Sequence, residues 1–198
     1  MNELVARLRA GRNVPNADTG PFVDRATADG LLDVAYATVD SPFGPLLVAV
    51  TPTGLVRLAY SDERHDAVLD DLAARLSPRV LEAPARLAGV RRDLDEYFAG
   101  HRRGFRIPID WSLTSGFGRR VLRATSKIPF GGVSTYREIA AAAGSPNGSR
   151  AAGNALGNNP IPIVVPCHRV LRTGGGLGGY TGGVDRKERL LHIEGVLL

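Results

Sequence analysis

The chain holds one cysteine, and its surroundings are the stretch best suited to chemistry. Cys167 stands directly between Pro166 and His168, and Arg169 follows. The thiolate, not the thiol, is the nucleophile, and a neighbouring imidazole or cation raises the thiolate fraction. Pro166 fixes its own φ and biases Val165 toward an extended conformation, so a rigid approach to the thiol is expected. Just beyond, residues 173–183 hold seven of the 24 glycines, and glycine lets a backbone come close to a ligand. The competing reading is a buried, inert core thiol beside a satisfied histidine. A single cysteine excludes an intramolecular disulfide and a Cys-rich zinc site, so no metal is expected, and no other cofactor is called for.

These residues need a scaffold, and the pattern of the chain suggests one in two parts. Residues 1–30 read as an appendage, with a short helix over 3–9 and a loop over 13–20. Residues 32–39, 45–50 and 55–60 read as strands, separated by the turns Ser41-Pro42-Phe43-Gly44 and Thr51-Pro52-Thr53-Gly54. Residues 64–76 and 86–99 carry helical apolar spacing, at Val68, Leu69, Leu72 and Leu76 and then at Leu87, Val90, Leu94 and Phe98, with Gly100 as the stop. Three strands followed by two helices predict a small antiparallel-sheet α+β domain over 31–108.

Residues 109–198 form the second expected domain, mostly helical. A helix is predicted near 117–126. Thr135 and Glu138 have capping-box spacing ahead of a short helix over 136–143. The turn Ser145-Pro146-Asn147-Gly148 leads to a second helix near 149–157, so the pair reads as a helix-turn-helix. Residues 158–166 read as an extended apolar segment that delivers Cys167, and 190–194 as a short closing segment.

The formal net charge is +5, from 25 Lys and Arg against 20 Asp and Glu, which suits a polyanionic partner without requiring one. The apolar fraction of 43% supports a real core. The longest apolar runs, 45–50 and 161–166, are too short to span a bilayer. Met1-Asn2-Glu3 does not begin a secretory signal, so a cytoplasmic, nucleoid-associated protein with no membrane partner is expected.

Pro166-Cys167-His168-Arg169-Val170, followed by Gly178-Gly179-Tyr180-Thr181-Gly182-Gly183 and then Lys187, Leu190, Leu191 and Glu194, resembles the active site of the O6-alkylguanine-DNA alkyltransferases. The resemblance covers roughly residues 112–195 well and reaches the first domain more loosely, through Asp40-Ser41-Pro42-Phe43-Gly44-Pro45-Leu46. It implies a ribonuclease-H-like first domain and a winged helix-turn-helix second domain. It implies that Cys167 accepts the alkyl group irreversibly, activated through water by His168, which pairs with Glu194. Asn159 would hold the turn beside the nucleophile. Tyr136 would line the guanine pocket and help protonate the departing base, Lys187 would support the site from behind, and Tyr180 and Thr181 would form the pocket loop. Backbone carbonyls around Cys167 and Val170 would accept from the guanine amine.

The same resemblance implies a minor-groove recognition helix in which Ala151, Ala152 and Gly153 allow close approach, Arg150 fills the gap left by the flipped base, and Thr135 lies at the DNA interface. The implied partner is double-stranded DNA carrying O6-alkylguanine. A monomer is expected, with cooperative assembly on DNA and action on O4-alkylthymine left open.

Taken singly, Tyr136 reads as a helix-capping aromatic, and Lys187 with Glu194 as a solvated surface pair. Asn154 departs from the small residue common at its position, and 117–122 lacks a tryptophan common in bacterial members. Three rivals are weaker. A non-transferring alkyltransferase-like lesion binder would lack the cysteine. A helix-turn-helix regulator leaves Cys167-His168-Arg169 and Glu194 unexplained. A cytosine-5 methyltransferase needs a methyl-donor domain, and no strand–Gly-x-Gly–helix unit precedes Cys167.

Overall fold

The structure, a computed structural model, describes residues 20–21, 25–26 and 29–196. The helix expected over 3–9, and nearly all of the loop expected over 13–20, lie outside the described residues.

Strands β1 (Val34–Val39), β2 (Leu46–Thr51) and β3 (Gly54–Ala59) form a meander close to the predicted one. β2 is buried on both faces. Leu46, Val48 and Val50 point into the main core, and Leu47 and Ala49 into a smaller one. Helix α1 (His65–Arg75) covers the smaller core with Val68 and Leu72, and α2 (Ala88–Phe98) covers the main core with Val90, Leu94 and Tyr97. α2 is preceded by a 3-10 turn at Pro84–Leu87. The predicted antiparallel sheet is present as this meander, and it gains one strand. A three-residue strand, β4 (Val80–Glu82), pairs parallel to β1, giving the order β3-β2-β1-β4. Three residues are too few to show a period in sequence, and their pairing is set by the α1 crossover.

The outer edge of β3 is not left open. Leu55 N donates to Pro108 O at 2.8 Å, Asp110 N to Leu55 O at 2.9 Å, and Leu58 N to Pro160 O at 2.9 Å. The last bond fastens the sheet directly to the segment that leads to Cys167.

The second half contains α3 (Gly116–Thr125), α4 (Tyr136–Ala142), α5 (Ser149–Gly157) and α6 (Val184–Ile193). The capping box at α4 is complete. Thr135 Oγ1 accepts from Glu138 N at 3.2 Å, and Glu138 Oε2 accepts from Thr135 N at 2.8 Å. α4 ends in a Schellman motif, with Gly144 N on Ala141 O, Ser145 N on Ala140 O, and Gly144 at φ +83° where only glycine is unstrained. This tight exit turns the chain into α5 and makes the helix-turn-helix. A two-stranded parallel ladder, β5 (Ser134–Thr135) with β6 (Val170–Leu171), sets the start of α4 beside the residues following Cys167.

One expectation fails in this half. Segment 158–166 is folded into turns and carries no strand. The closing segment is a ten-residue helix, α6. Its helical character is hidden in sequence because Lys187 occupies a core position of the stripe Lys187, Leu190, Leu191.

Candidate active site

Cys167 is brought to its place by two consecutive tight turns. Val164 N donates to Pro162 O at 2.9 Å across Ile163, whose φ of +72° is an outlier for a β-branched residue. Cys167 N then donates to Val165 O at 2.8 Å across Pro166, at φ −82° and ψ 65°, an inverse γ-turn. The proline-rich run therefore works as a rigid double turn, and strain is held next to the thiol. Asn159 locks it. Its Oδ1 accepts from Ile161 N at 3.0 Å, and its Nδ2 donates to Val165 O at 2.8 Å and to Cys167 Sγ at 3.1 Å.

Cys167 is buried, and burial pushes its pKa up to about 11, against the lowering pull of Asn159 and of the Lys187 charge. Lys187 is fully buried, and its Nζ donates to Val170 O at 2.6 Å and to Leu177 O. Burial brings the ammonium down to about 8, while the Cys167 thiolate favours its charge. The expected carbonyl acceptors near the thiol both have protein donors. Val170 O takes Lys187, and Cys167 O takes Val170 N. Each retains a second lone pair for a ligand.

His168 and Glu194 meet in the interior. Nε2 lies 2.9 Å from Glu194 Oε1, and both side chains are 0% exposed. The carboxylate is saturated with donors. Tyr97 Oη reaches Oε1 at 2.6 Å, Arg169 Nε reaches Oε2 at 2.7 Å, Arg169 Nη2 reaches Oε1 at 2.8 Å, and Gly131 N reaches Oε2 at 3.4 Å. Burial alone would raise the pKa of Glu194. The bonds from His168 and Arg169 outweigh it and hold the carboxyl at about 2. An ionised carboxylate only accepts, so His168 donates from Nε2 and keeps an unprotonated Nδ1. That Nδ1 is buried and has no hydrogen-bond partner among the described residues. Burial lowers the imidazole pKa, with Glu194 pulling the other way. Lys187 and Glu194 are thus not a solvated pair: both are buried, with separate partners.

Two members of this network were not assigned a role from sequence. Arg169 had been read only as charge next to the thiol, yet it is buried and also donates from Nη1 to Ile128 O at 2.6 Å. Tyr97 comes from the first half, on α2, with no local signal that it would reach Glu194.

An open cleft of about 720 Å³ leads to the thiol. Tyr136, Arg150, Gly153, Cys167, Tyr180 and Thr181 are among the residues lining it. The Tyr136 hydroxyl donates to Gly179 O at 3.2 Å. Half-burial pushes its pKa up, and Arg172 acts against that rise. Thr181 Oγ1 donates to Gly157 O at 2.7 Å, tying the glycine-rich loop to the end of α5. On α5, Arg150 and Ala151 are exposed and Gly153 is half-buried at the cleft wall. Ala152, expected at the groove, is 0% exposed and packed in the main core. Its small size serves the packing of α5 on its neighbours.

A four-stranded sheet domain joined to a helix-turn-helix domain, with a cleft opening on one buried cysteine, sets the class of protein to compare. Residues 34–111 match the ribonuclease-like domain of 6-O-methylguanine DNA methyltransferase, and residues 116–196 match its DNA binding domain. The methylated-DNA–protein-cysteine methyltransferase of Mycolicibacterium paratuberculosis is 42% identical over 161 residues, covering 81% of this chain and 92% of its own. The constitutive enzyme of that name from Bacillus subtilis is 38% identical over 160 residues, covering 80% and 94%. The crystal structure of Mycobacterium tuberculosis OGT in complex with DNA superposes with a TM-score of 0.70 at 37% identity, covering 81% of this chain and 92% of that one. The chain belongs to the methylated-DNA–protein-cysteine methyltransferase family, whose function is DNA repair by alkyl transfer.

Proposed function

We propose that this protein removes the alkyl group from O6-alkylguanine in duplex DNA by transferring it once, irreversibly, to Cys167. The observation that carries the reading is the buried Nδ1 of His168, without a hydrogen-bond partner among the described residues, on a ring fixed at Nε2 by Glu194 and adjacent in sequence to the nucleophile.

With its pKa near 11, the resting thiol is protonated at neutral pH and must give up its proton as reaction begins. His168 Nδ1 takes that proton through one water, and Glu194 stabilises the imidazolium. Sγ then attacks the alkyl carbon. The S–C bond forms as the C–O6 bond breaks, and the electron pair leaves with guanine. Tyr136 gives its hydroxyl proton to the departing base and is reprotonated from solvent, and His168 releases the thiol proton to solvent. The net change is thiol plus alkylguanine to thioether plus guanine. Because the thioether is stable, each molecule acts once. Lys187 favours the developing thiolate, and Asn159 keeps Sγ in place.

The target nucleotide must leave the stack to reach this cleft. Arg150 and Ala151 on α5 present the groove-contacting surface, with Arg150 filling the vacated space, and Thr135 lies at its edge. The working boundaries are 31–108 for the sheet domain and 109–198 for the acceptor domain. The protein is proposed to act as a monomer in the cytoplasm. Among the described residues no helix is long and apolar enough to cross a membrane.

The test is mass spectrometry of tryptic peptides after incubation with a duplex containing O6-methylguanine. A methyl adduct on the peptide containing Cys167, absent from Cys167→Ala, is the expected outcome. Methyl transfer to the alanine variant sinks the reading.

A further inference from the structure

The glycine-rich loop that walls the cleft is held from outside the acceptor domain. Tyr60 follows β3 in the first half and is 2% exposed. Its hydroxyl lies 2.8 Å from that of Tyr180, and this is its one hydrogen bond among the described residues. Their rings meet edge to face at 6.4 Å, and His168 meets Tyr180 the same way at 6.4 Å. Gly182 packs against both tyrosines: an added Cβ would lie 2.6 Å from the Tyr60 ring and 2.8 Å from the Tyr180 ring. Arg186, from α6, stacks over Tyr60 at 4.5 Å and pairs with Asp62 at 2.9 Å, closing the clasp from the other face. Sheet, loop, Tyr180 and His168 therefore form one packed column ending at the thiol.

Resting on the reading of Cys167 as the acceptor, we propose that Tyr60 is a positioning residue for the alkyl-transfer reaction. It fixes the hydroxyl and ring of Tyr180 against the cleft, so the first domain completes the pocket. The physical reason is asymmetric. A Tyr180 hydroxyl without Tyr60 would swing to find water, and the loop bearing Thr181 would lose the partner that fixes it on that side. Buried donors and acceptors of this kind cost the full desolvation penalty when orphaned, which is why the pair holds one geometry.

The test is single-turnover transfer to the full-length chain, with free O6-benzylguanine and with methylated duplex at saturation. Wild type, Tyr60→Phe, Tyr180→Phe and the double variant are compared. Phenylalanine keeps the ring, so the Gly182 and Arg186 packing survives. Tyr60→Phe is expected to slow transfer about fivefold on both substrates, the loss of roughly one hydrogen bond, with the Kd for undamaged duplex unchanged. In the Tyr180→Phe background the same change is expected to cost less than about twofold, because the coupled partner is already gone. A wild-type rate for Tyr60→Phe overturns the proposal. So does an equal fold-loss in both backgrounds, or a loss confined to DNA affinity. Failure of wild type itself to transfer counts against the acceptor reading and is thereby distinguished from failure of the Tyr60 role.

Discussion

Arg169 grips Glu194 with a two-pronged ion pair, Nε to Oε2 at 2.7 Å and Nη2 to Oε1 at 2.8 Å, inside the protein. Removing one partner of a buried pair leaves the other charge uncompensated, which typically costs about 3–5 kcal/mol. Tyr97, His168 and Gly131 still donate to Glu194, so Arg169→Met is expected near the lower end. Urea denaturation should give a loss of about 3 kcal/mol, with Tm down by roughly 10 °C. A loss under about 1 kcal/mol, the range of an exposed pair, would show that the bridge contributes no more than a surface contact.

Glu194 should also make the fold acid-sensitive. Its folded pKa of about 2 lies below the usual 4.5, so its stabilisation is fully present above 4.5 and is lost as pH falls toward 2. Chemical denaturation between pH 6 and pH 3 should show wild type losing stability more steeply than Glu194→Gln. Parallel curves for the two proteins would contradict the shifted carboxylate.

Burial keeps His168 neutral to a lower pH than a free imidazole, whose value is 6.5. The transfer rate on free O6-benzylguanine should stay level as pH falls from 7.5 and drop only below 6.5, when Nδ1 becomes protonated. A midpoint above 6.5 would mean that the ion pair with Glu194 dominates burial. That limb should disappear in His168→Ala, leaving a slower rate that rises only as the thiol itself ionises.

Arg150 is exposed on α5 and lines the cleft. If it occupies the space of the flipped nucleotide, Arg150→Ala should slow repair of methylated duplex at least tenfold while changing the rate on free O6-benzylguanine by less than about twofold. Equal losses on the two substrates would refute the role.

Neighbouring alanines on α5 should separate by effect. Ala152 is 0% exposed in the core, so Ala152→Leu should cost about 1–3 kcal/mol by overpacking. Ala151 is exposed, so Ala151→Leu should leave stability within about 0.5 kcal/mol and weaken duplex binding. A stable Ala152→Leu with impaired DNA binding would return Ala152 to the groove.

Features written in consecutive residues were readable in the sequence. The Thr135–Glu138 capping box, the β1-β2-β3 meander, the helix-turn-helix and the Pro166-Cys167-His168 segment all depend on partners within a few positions, or on one short period. So did the identity of the thiol, as the only cysteine present. Lys187 misled in two ways: a lysine in a core stripe hid α6 and invited a surface reading of the residue itself.

Only the folded chain decided how that cysteine is equipped. Burial raises its pKa, the double turn at Ile163 and Pro166 aims it, and Arg169 faces Glu194 although it lies only two residues from the thiol. Tyr97 and Tyr60, far off in sequence, complete the Glu194 cluster and the Tyr180 wall. The reason is physical. Caps and turns are fixed by hydrogen bonds spanning three or four residues, whereas desolvation and buried charge depend on which distant surfaces close over a group. The sequence determined which residue can act as nucleophile; burial and the double turn decided its protonation and aim, and the first half added the Tyr60 support behind Tyr180.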